Sequence, residues 1–204
     1  IQQPVVSAKD GKAASAADAT PAAAATQIQS PSAGSALFPV GHGSYTLALN
    51  NNDQKHLSNK EYTCPVCKKK FKAFKMRTAN LELDKTTSDM RNIYKVFEHL
   101  YYDIISCPDC IYSAFMDNFE NLETHNPNLL HDLKTYHSDV KIKIGAEMDT
   151  FSVFAGYYMA LFCAPRSLRD HHMTTAKILL KLSRIYADCG DLEMENETAQ
   201  KALD

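Results

Sequence analysis

Six cysteines stand in the chain, and four of them form two matched pairs, Cys64-Pro65-Val66-Cys67 and Cys107-Pro108-Asp109-Cys110, with thirty-nine residues between. Zinc takes four tetrahedral nitrogen or sulfur ligands, and a C-x-x-C turn delivers two sulfurs at bonding distance while its own amides hydrogen-bond them. Two such turns close the shell. Proline after each first cysteine fixes φ and begins each turn before any metal arrives. Cys64, Cys67, Cys107 and Cys110 are therefore the expected ligands of one structural Zn2+. Paired disulfides, a redox dithiol and an iron–sulfur centre are the alternatives. A redox C-x-x-C belongs beside a βαβ pattern, which this sequence does not display. Glycine usually follows the second cysteine of such a turn, but Lys68 and Ile111 stand there and must accept whatever backbone angle the turn imposes. Cys163 and Cys189 sit singly on apolar helical faces and read as buried thiols.

A second chemistry lies beside the first pair. Over residues 60–77 seven basic side chains face one acidic one, Glu61, with Tyr62, Phe71 and Phe74 interleaved. Lys68, Lys69, Lys70, Lys72, Lys75 and Arg77 would suit phosphate contacts while the rings stack bases. Residues 78–125 reverse the balance, with nine acidic side chains against three basic ones, so pairing between the two halves is the plainer expectation. Arg77, Asp89 and Arg91 are candidates for a polar network or an anion site, with a structural salt bridge as the first reading. His125, His131 and His137 recur every six residues, which turns each about 240° from the last on a helix, so they make no metal triad. His171 and His172 are expected to point apart. The sequence carries no glycine-rich phosphate loop, nucleophile elbow or H-E-x-x-H helix, and a shell filled by four thiolates lacks the open position that metal-assisted hydrolysis requires.

The elements that would position these groups change character along the chain. Tyr45, Leu47 and Leu49 alternate after a Gly41-His42-Gly43 turn, as in a short strand or an extended segment laid on another surface. Residues 77–83 read as extended, with Leu81 and Leu83 on one strand face. A helix or irregular run covers residues 89–100, and Asp103-Ile104-Ile105-Ser106 is a strand entering the second cysteine pair. Ala114, Phe115, Phe119 and Leu122 then predict a helix ending before Asn126-Pro127. Leu129, Leu130, Leu133 and Tyr136 predict the next, over Leu129–Val140. Thr150 is placed to cap a helix whose stripe is Phe151, Phe154, Ala155, Tyr158 and Phe162, with Gly156 allowing close approach and Pro165 ending it. Ile178, Leu182, Ile185 and Cys189 form a buried seam on a longer helix. Gly190 suits its left-handed cap, and Asp191 starts the last helix, through Ala199, Ala202 and Leu203.

At 204 residues and 45% hydrophobic content the chain fills one average domain and a small metal module, and its net charge of −2 implies no global attraction to nucleic acid or anionic membrane. The uncharged run over residues 151–165 is too short to span a bilayer and reads as a core helix. Residues 1–43 are rich in Ala, Ser, Gln and Pro and cannot bury enough surface to fold alone, which makes them an extended tether or partner-binding arm. An alanine-rich stretch after a start at Ile1 points to an exported chain of the cell envelope; the alternative is the cytoplasm, where thiols stay reduced for metal.

Beyond composition, an ordered set of short motifs carries a resemblance. Lys72, Met76-Arg77, Leu81 and Leu83 come first, then Ser88-Asp89-x-Arg91 with Tyr94, then Leu100-Tyr101-Tyr102-Asp103, then the second cysteine pair with Tyr112, Ala114-Phe115 and Phe119. In this order they resemble the bacterial family of uncharacterised proteins DUF2225, over roughly residues 61–204. The run Leu179, Leu182, Ser183, Tyr186, Gly190 and Ala202 is similar to a tetratricopeptide hairpin, with Glu195 departing from the small residue usual at its position. That likeness implies protein or peptide binding. The expected fold is α+β and mostly α: an extended arm (residues 1–43), a four-cysteine zinc-ribbon-like module (44–124) and a helical tetratricopeptide-like domain (125–204). The expected function is that of a non-enzymatic scaffold or accessory subunit of a larger bacterial assembly, meeting protein partners through the arm and the C-terminal helices. A nucleic-acid- or ribosome-associated module is the alternative.

Overall fold

Three antiparallel hairpins precede four helices in the computed structural model, which describes residues 37–88, 90–122, 126–140 and 148–204. The first 36 residues of the expected arm, Asp89 and His125 lie outside the described residues. Strand β1 (Leu57–Thr63) pairs with β2 (Lys70–Met76) in continuous register from Leu57↔Met76 to Thr63↔Lys70. Strand β3 (Leu83–Thr86) pairs with β4 (Asn92–Tyr94), and β5 (Ile104–Ser106) pairs with β6 (Ser113–Phe115). The helices are α1 (Leu129–Val140), α2 (Thr150–Ser167), α3 (His172–Asp188) and α4 (Leu192–Leu203). The chain is thus a mixed fold of small antiparallel sheets and a largely helical C-terminal half. No described helix is long and apolar enough to cross a membrane.

Several local expectations change. The helix expected from Ala114 to Leu122 is instead β6 followed by turns. Its four-residue Phe115–Phe119 spacing suits either element, and the cross-strand bond from Ser113 Oγ to Ser106 Oγ, 2.7 Å, belongs to a hairpin. Residues 77–83 are not one strand face: a 3-10 turn at Thr78–Asn80 intervenes, and Leu83 opens β3 half-exposed. Residues 89–100 contain β4 and the start of a second 3-10 segment, His99–Tyr102. Of the two readings for Tyr45, Leu47 and Leu49, the extended segment laid on another surface is the one observed, with no ladder formed. Asp149, not Thr150, caps α2 by accepting from Ser152 N at 2.7 Å. Pro165 lies inside the last turn of α2, which runs on to Ser167 because Leu168 N still reaches Ala164 O. The His171 and His172 rings lie together at the start of α3, centroids 4.3 Å apart, and do not point apart as expected.

Helix α2 is the wall between two apolar clusters. Val153, Phe154, Tyr157, Ala160 and Ala164 face one side, against Leu57, Met76, Ile104, Ile178 and Leu182. Ala155, Met159 and Cys163 face the other, against Tyr62, Ile105, Ile111, Phe119 and Leu133. These sets repeat at three and four residues, as a helix buried on two faces requires. Gly156 is the closest approach: a Cβ there would sit 3.3 Å from Ile104 Cγ2 and 3.4 Å from Ser106 Oγ. The helix therefore rests directly on the strand that leads into the second cysteine pair. Gly190, at φ +74°, turns α3 into α4, and Asp191 caps α4 through Met194 N at 3.0 Å.

Candidate metal centre

Each cysteine pair is the turn of a hairpin. Cys64 follows β1 and β2 resumes at Lys70; Cys107 follows β5 and β6 resumes at Ser113. The two turns repeat the same backbone bonds. Cys64 N donates to Lys69 O at 2.9 Å and Lys68 N to Cys64 O at 3.0 Å, while Cys107 N donates to Tyr112 O and Ile111 N to Cys107 O, both at 2.9 Å. The residue after each second cysteine takes a left-handed conformation, Lys68 at φ 63° and Ile111 at φ 57°. This is the backbone angle that glycine would accept without cost.

The two turns face each other and bring four sulfurs together, all within 4.8 Å of one another. Cys64 Sγ lies 3.6 Å from Cys110 Sγ, and Cys67 Sγ 3.7 Å from Cys107 Sγ. A disulfide needs about 2.05 Å. Four thiolates around one ion at about 2.3 Å stand roughly 3.8 Å apart by tetrahedral geometry. The donor set therefore fits a metal ion. Cys64, Cys107 and Cys110 are buried and Cys67 is partly so. Hydrogen bonds from Cys110 and Cys64 favour the thiolate of Cys107 and pull it well below the ordinary thiol range, while the bond to Cys107 pushes Cys110 upward. Four thiolates this close repel one another, so holding them all ionised calls for a cation among them.

A shell of packed rings surrounds the sulfurs. Phe119 meets Tyr62, Phe71 and Tyr112 at centroid distances of 6.0, 5.7 and 5.3 Å. Cys163 is buried in the same cluster, with burial pushing its thiol up to about 12. Across the mouth, Lys69 Nζ reaches Asp109 Oδ1 at 2.5 Å, so the basic first turn and the acidic second turn are joined by an ion pair. Lys70 pairs with Glu61 at 3.2 Å. Lys60 pairs with Glu120. Lys68 donates to Pro65 O at 2.7 Å, and Lys72, Lys75 and Arg77 are exposed.

Arg77 and Arg91 have different surroundings. Arg77 is exposed, with its amide donating to His56 O at 2.7 Å. Arg91 is buried and its Nη2 donates to Glu98 Oε2 at 2.8 Å and Asp188 Oδ2 at 2.7 Å, tying the β3–β4 region to the end of α3. Tyr101 OH also donates to Asp188, at 3.3 Å. Asp188 lies too far along the chain for spacing to reveal it.

A polar group ringed by aromatics is equally hidden from sequence spacing. His42 Nδ1 lies 2.7 Å from Tyr186 OH, and Tyr186 OH lies 2.7 Å from Tyr158 OH. Tyr45 OH donates to Asp191 Oδ2 at 2.6 Å. Phe38 stacks on His42 at 4.1 Å, with Phe154 and Tyr45 edge-on to it. Burial lowers His42 to about 4, against the opposing pull of Asp191. Its only signal in the sequence is a histidine set among aromatics in a turn.

No curated protein and no solved structure shows a significant match to the chain. A family model, described as an uncharacterized protein conserved in bacteria (DUF2225), matches residues 57–204, which take in the four converging cysteines, the three hairpins and the four described helices. With that span covering well over half its length, the chain belongs to the DUF2225 family.

Proposed function

We propose that the chain is a non-enzymatic interaction protein, stabilised by one structural Zn2+ and serving as a scaffold or accessory subunit of a larger bacterial assembly. The observation that carries this reading is the convergence of four cysteine sulfurs from two facing hairpin turns. Such a set would fill every tetrahedral position with protein ligands and leave none for a substrate. The all-sulfur donor set favours zinc over harder cations. Opposed cysteine-bearing hairpins support a zinc-ribbon-like module, and the α3–α4 hairpin, turning at Gly190, supports a tetratricopeptide-like unit. Met173, Leu180, Leu192 and Leu203 leave apolar surface exposed on these helices, which suits contact with another protein.

The test has two parts. Elemental analysis of the purified chain is expected to find one zinc per molecule, and affinity purification from the native organism is expected to recover a protein complex insensitive to nuclease. Loss of partners from a chain lacking residues 1–43 would assign the arm its role. Metal-free material that stays folded would overturn the zinc reading. The nucleic-acid alternative draws on exposed Lys72, Lys75 and Arg77, but Lys69 and Lys70 are already engaged by Asp109 and Glu61. It would gain if binding to RNA or DNA fell steeply with salt and vanished when those exposed residues were neutralised.

A further inference from the structure

The face made by α2, α3 and α4 holds a stretch of the chain's own residues 37–49, a turn closed by His42 N donating to Pro39 O at 3.2 Å and then an extended run. Its hold depends on side chains: no residue of the segment pairs in a sheet. His42 bonds Tyr186 on α3, and Tyr45 bonds Asp191, whose carboxylate is fixed in place by capping α4. Leu47 N donates to Thr150 Oγ1 at 3.1 Å. Phe38 sets its edge or face against Phe151 and Tyr158 of α2, each at 5.6 Å, and Leu47 is buried. Gly41, at φ +95°, passes so close that a Cβ would lie 3.3 Å from Met194 Sδ of α4. The groove therefore reads a pattern, an aromatic ring followed four residues on by histidine, seven by tyrosine and nine by leucine. The family match begins at residue 57, so the groove lies within the matched stretch and the segment filling it lies outside.

We propose that the α2–α3–α4 face is a peptide-docking groove, that residues 37–49 are its resident ligand in cis, and that the same segment of a second copy of this chain takes the place when the first leaves. A second copy is the partner that reproduces every one of these contacts. The proposal deepens the interaction reading above and rests on it only for the use made of the groove; it requires no metal. A short connection through residues 50–56 gives the resident segment an effective concentration on the order of millimolar. A free peptide at micromolar concentration is thus shut out of the intact chain and admitted once the connection is cut.

The experiment inserts a protease site after the exposed Asn52 of the full-length chain and adds a fluorescent synthetic peptide of residues 37–49 before and after cleavage. Anisotropy is expected to show at least 100-fold tighter uptake by the cleaved chain, with unlabelled peptide competing. A peptide carrying F38A, H42A and Y45F is expected to bind at least 10-fold more weakly. Equal uptake by intact and cleaved chains, or a cleaved segment that never exchanges, would overturn the proposal. Should cleavage precipitate the protein, hydrogen exchange on full-length H42A/Y45F decides. Faster exchange at residues 37–49 with α3 amides still protected supports a displaceable ligand, and joint loss of protection makes the segment ordinary core. Zinc content measured on the same samples keeps failure of the groove distinct from failure of the metal reading.

Discussion

Lys68 and Ile111 occupy equivalent places, each following the second cysteine of its pair, each left-handed, and each donating its amide to the carbonyl of the first cysteine in the turn. The hairpins impose this angle because the amides of the turn must point inward at the sulfurs. The two side chains have opposite surroundings. Lys68 is exposed, whereas Ile111 is fully buried in the cluster around the cysteines.

That contrast gives substitutions of opposite sign. Lys68→Gly relieves a left-handed residue at the surface and is expected to stabilise by about 1 kcal/mol, the cost of that conformation for a residue with a Cβ. Ile111→Gly relieves the same strain but empties a packed site, and is expected to destabilise by about 3 kcal/mol or more. Urea denaturation of the two variants at fixed zinc concentration measures both. A rise or fall in both midpoints together would show that side-chain burial is not what separates them.

Removal of one ligand is expected to act on the fold as a whole, because the cysteine turns join β1–β2 to β5–β6 and α2 rests on β5. Cys64→Ser and Cys107→Ser are each expected to lose stoichiometric zinc and most near-ultraviolet signal from the surrounding tyrosines. Since metal binds deprotonated sulfur, affinity falls as pH falls. A chelator titration is therefore expected to release metal more readily at lower pH, read by zinc release and circular dichroism on one sample.

The convergence of the four cysteines was legible because thiol spacing encodes a local turn and two such turns can face one another across a single ion. The α3–α4 hairpin was legible too, since Gly190 and Asp191 act within one turn of the chain. Local sequence does not encode Asp188 as a partner of Arg91, because the two stand 97 residues apart and meet only through the packing of α3. For the same reason His42 reads as a turn residue: beyond the nearby Phe38 and Tyr45, the rings around it, Phe154 and Tyr186, belong to helices far along the chain. The helix expected after Cys110 failed differently. Ser113, Ala114 and Phe115 are too few to show a period, and the hairpin that carries the second cysteine turn decided their state.

Arg91 is expected to matter more than its distance from the cysteines suggests. Its side chain is buried between two carboxylates, so Arg91→Ala leaves Glu98 and Asp188 without their cation and is expected to cost about 3 kcal/mol. Burial alone would raise Glu98, but His99, the Leu100 amide and Arg91 together outweigh it and hold the carboxyl below its usual value. A depressed carboxyl contributes stability that is fully present above its unfolded pKa, about 4.3, and is lost as pH falls through the lower folded value. Wild type is accordingly expected to lose stability below about pH 4 along a steeper slope than Arg91→Ala. Parallel slopes would remove Arg91 from this linkage.

His42 loses stability over a higher pH window. Its folded pKa, lowered by burial to about 4, lies below the ordinary histidine value of 6.5. The neutral ring is the form that fits among Phe38, Tyr45, Phe154 and Tyr186. Stability from this group is fully present above pH 6.5, declines as pH falls from there and levels off below about 4. The facing groups do not share that window. Asp191 is held below the usual carboxylate range, since the Met194 amide and Tyr45 hydroxyl outweigh its desolvation, and burial raises Tyr45, Tyr158 and Tyr186. Part of the ring is open to solvent, so after screening the loss is expected to be about 1–2 kcal/mol. Residues 37–49 are expected to lose hydrogen-exchange protection between pH 6.5 and 4 while α3 keeps its own, with His42→Ala flattening the dependence. A His42 proton resonance that titrates at the ordinary histidine value would mean that the ring is not buried against Tyr186, and the segment would then be held by its other contacts, Phe38, Tyr45 and Leu47 among them.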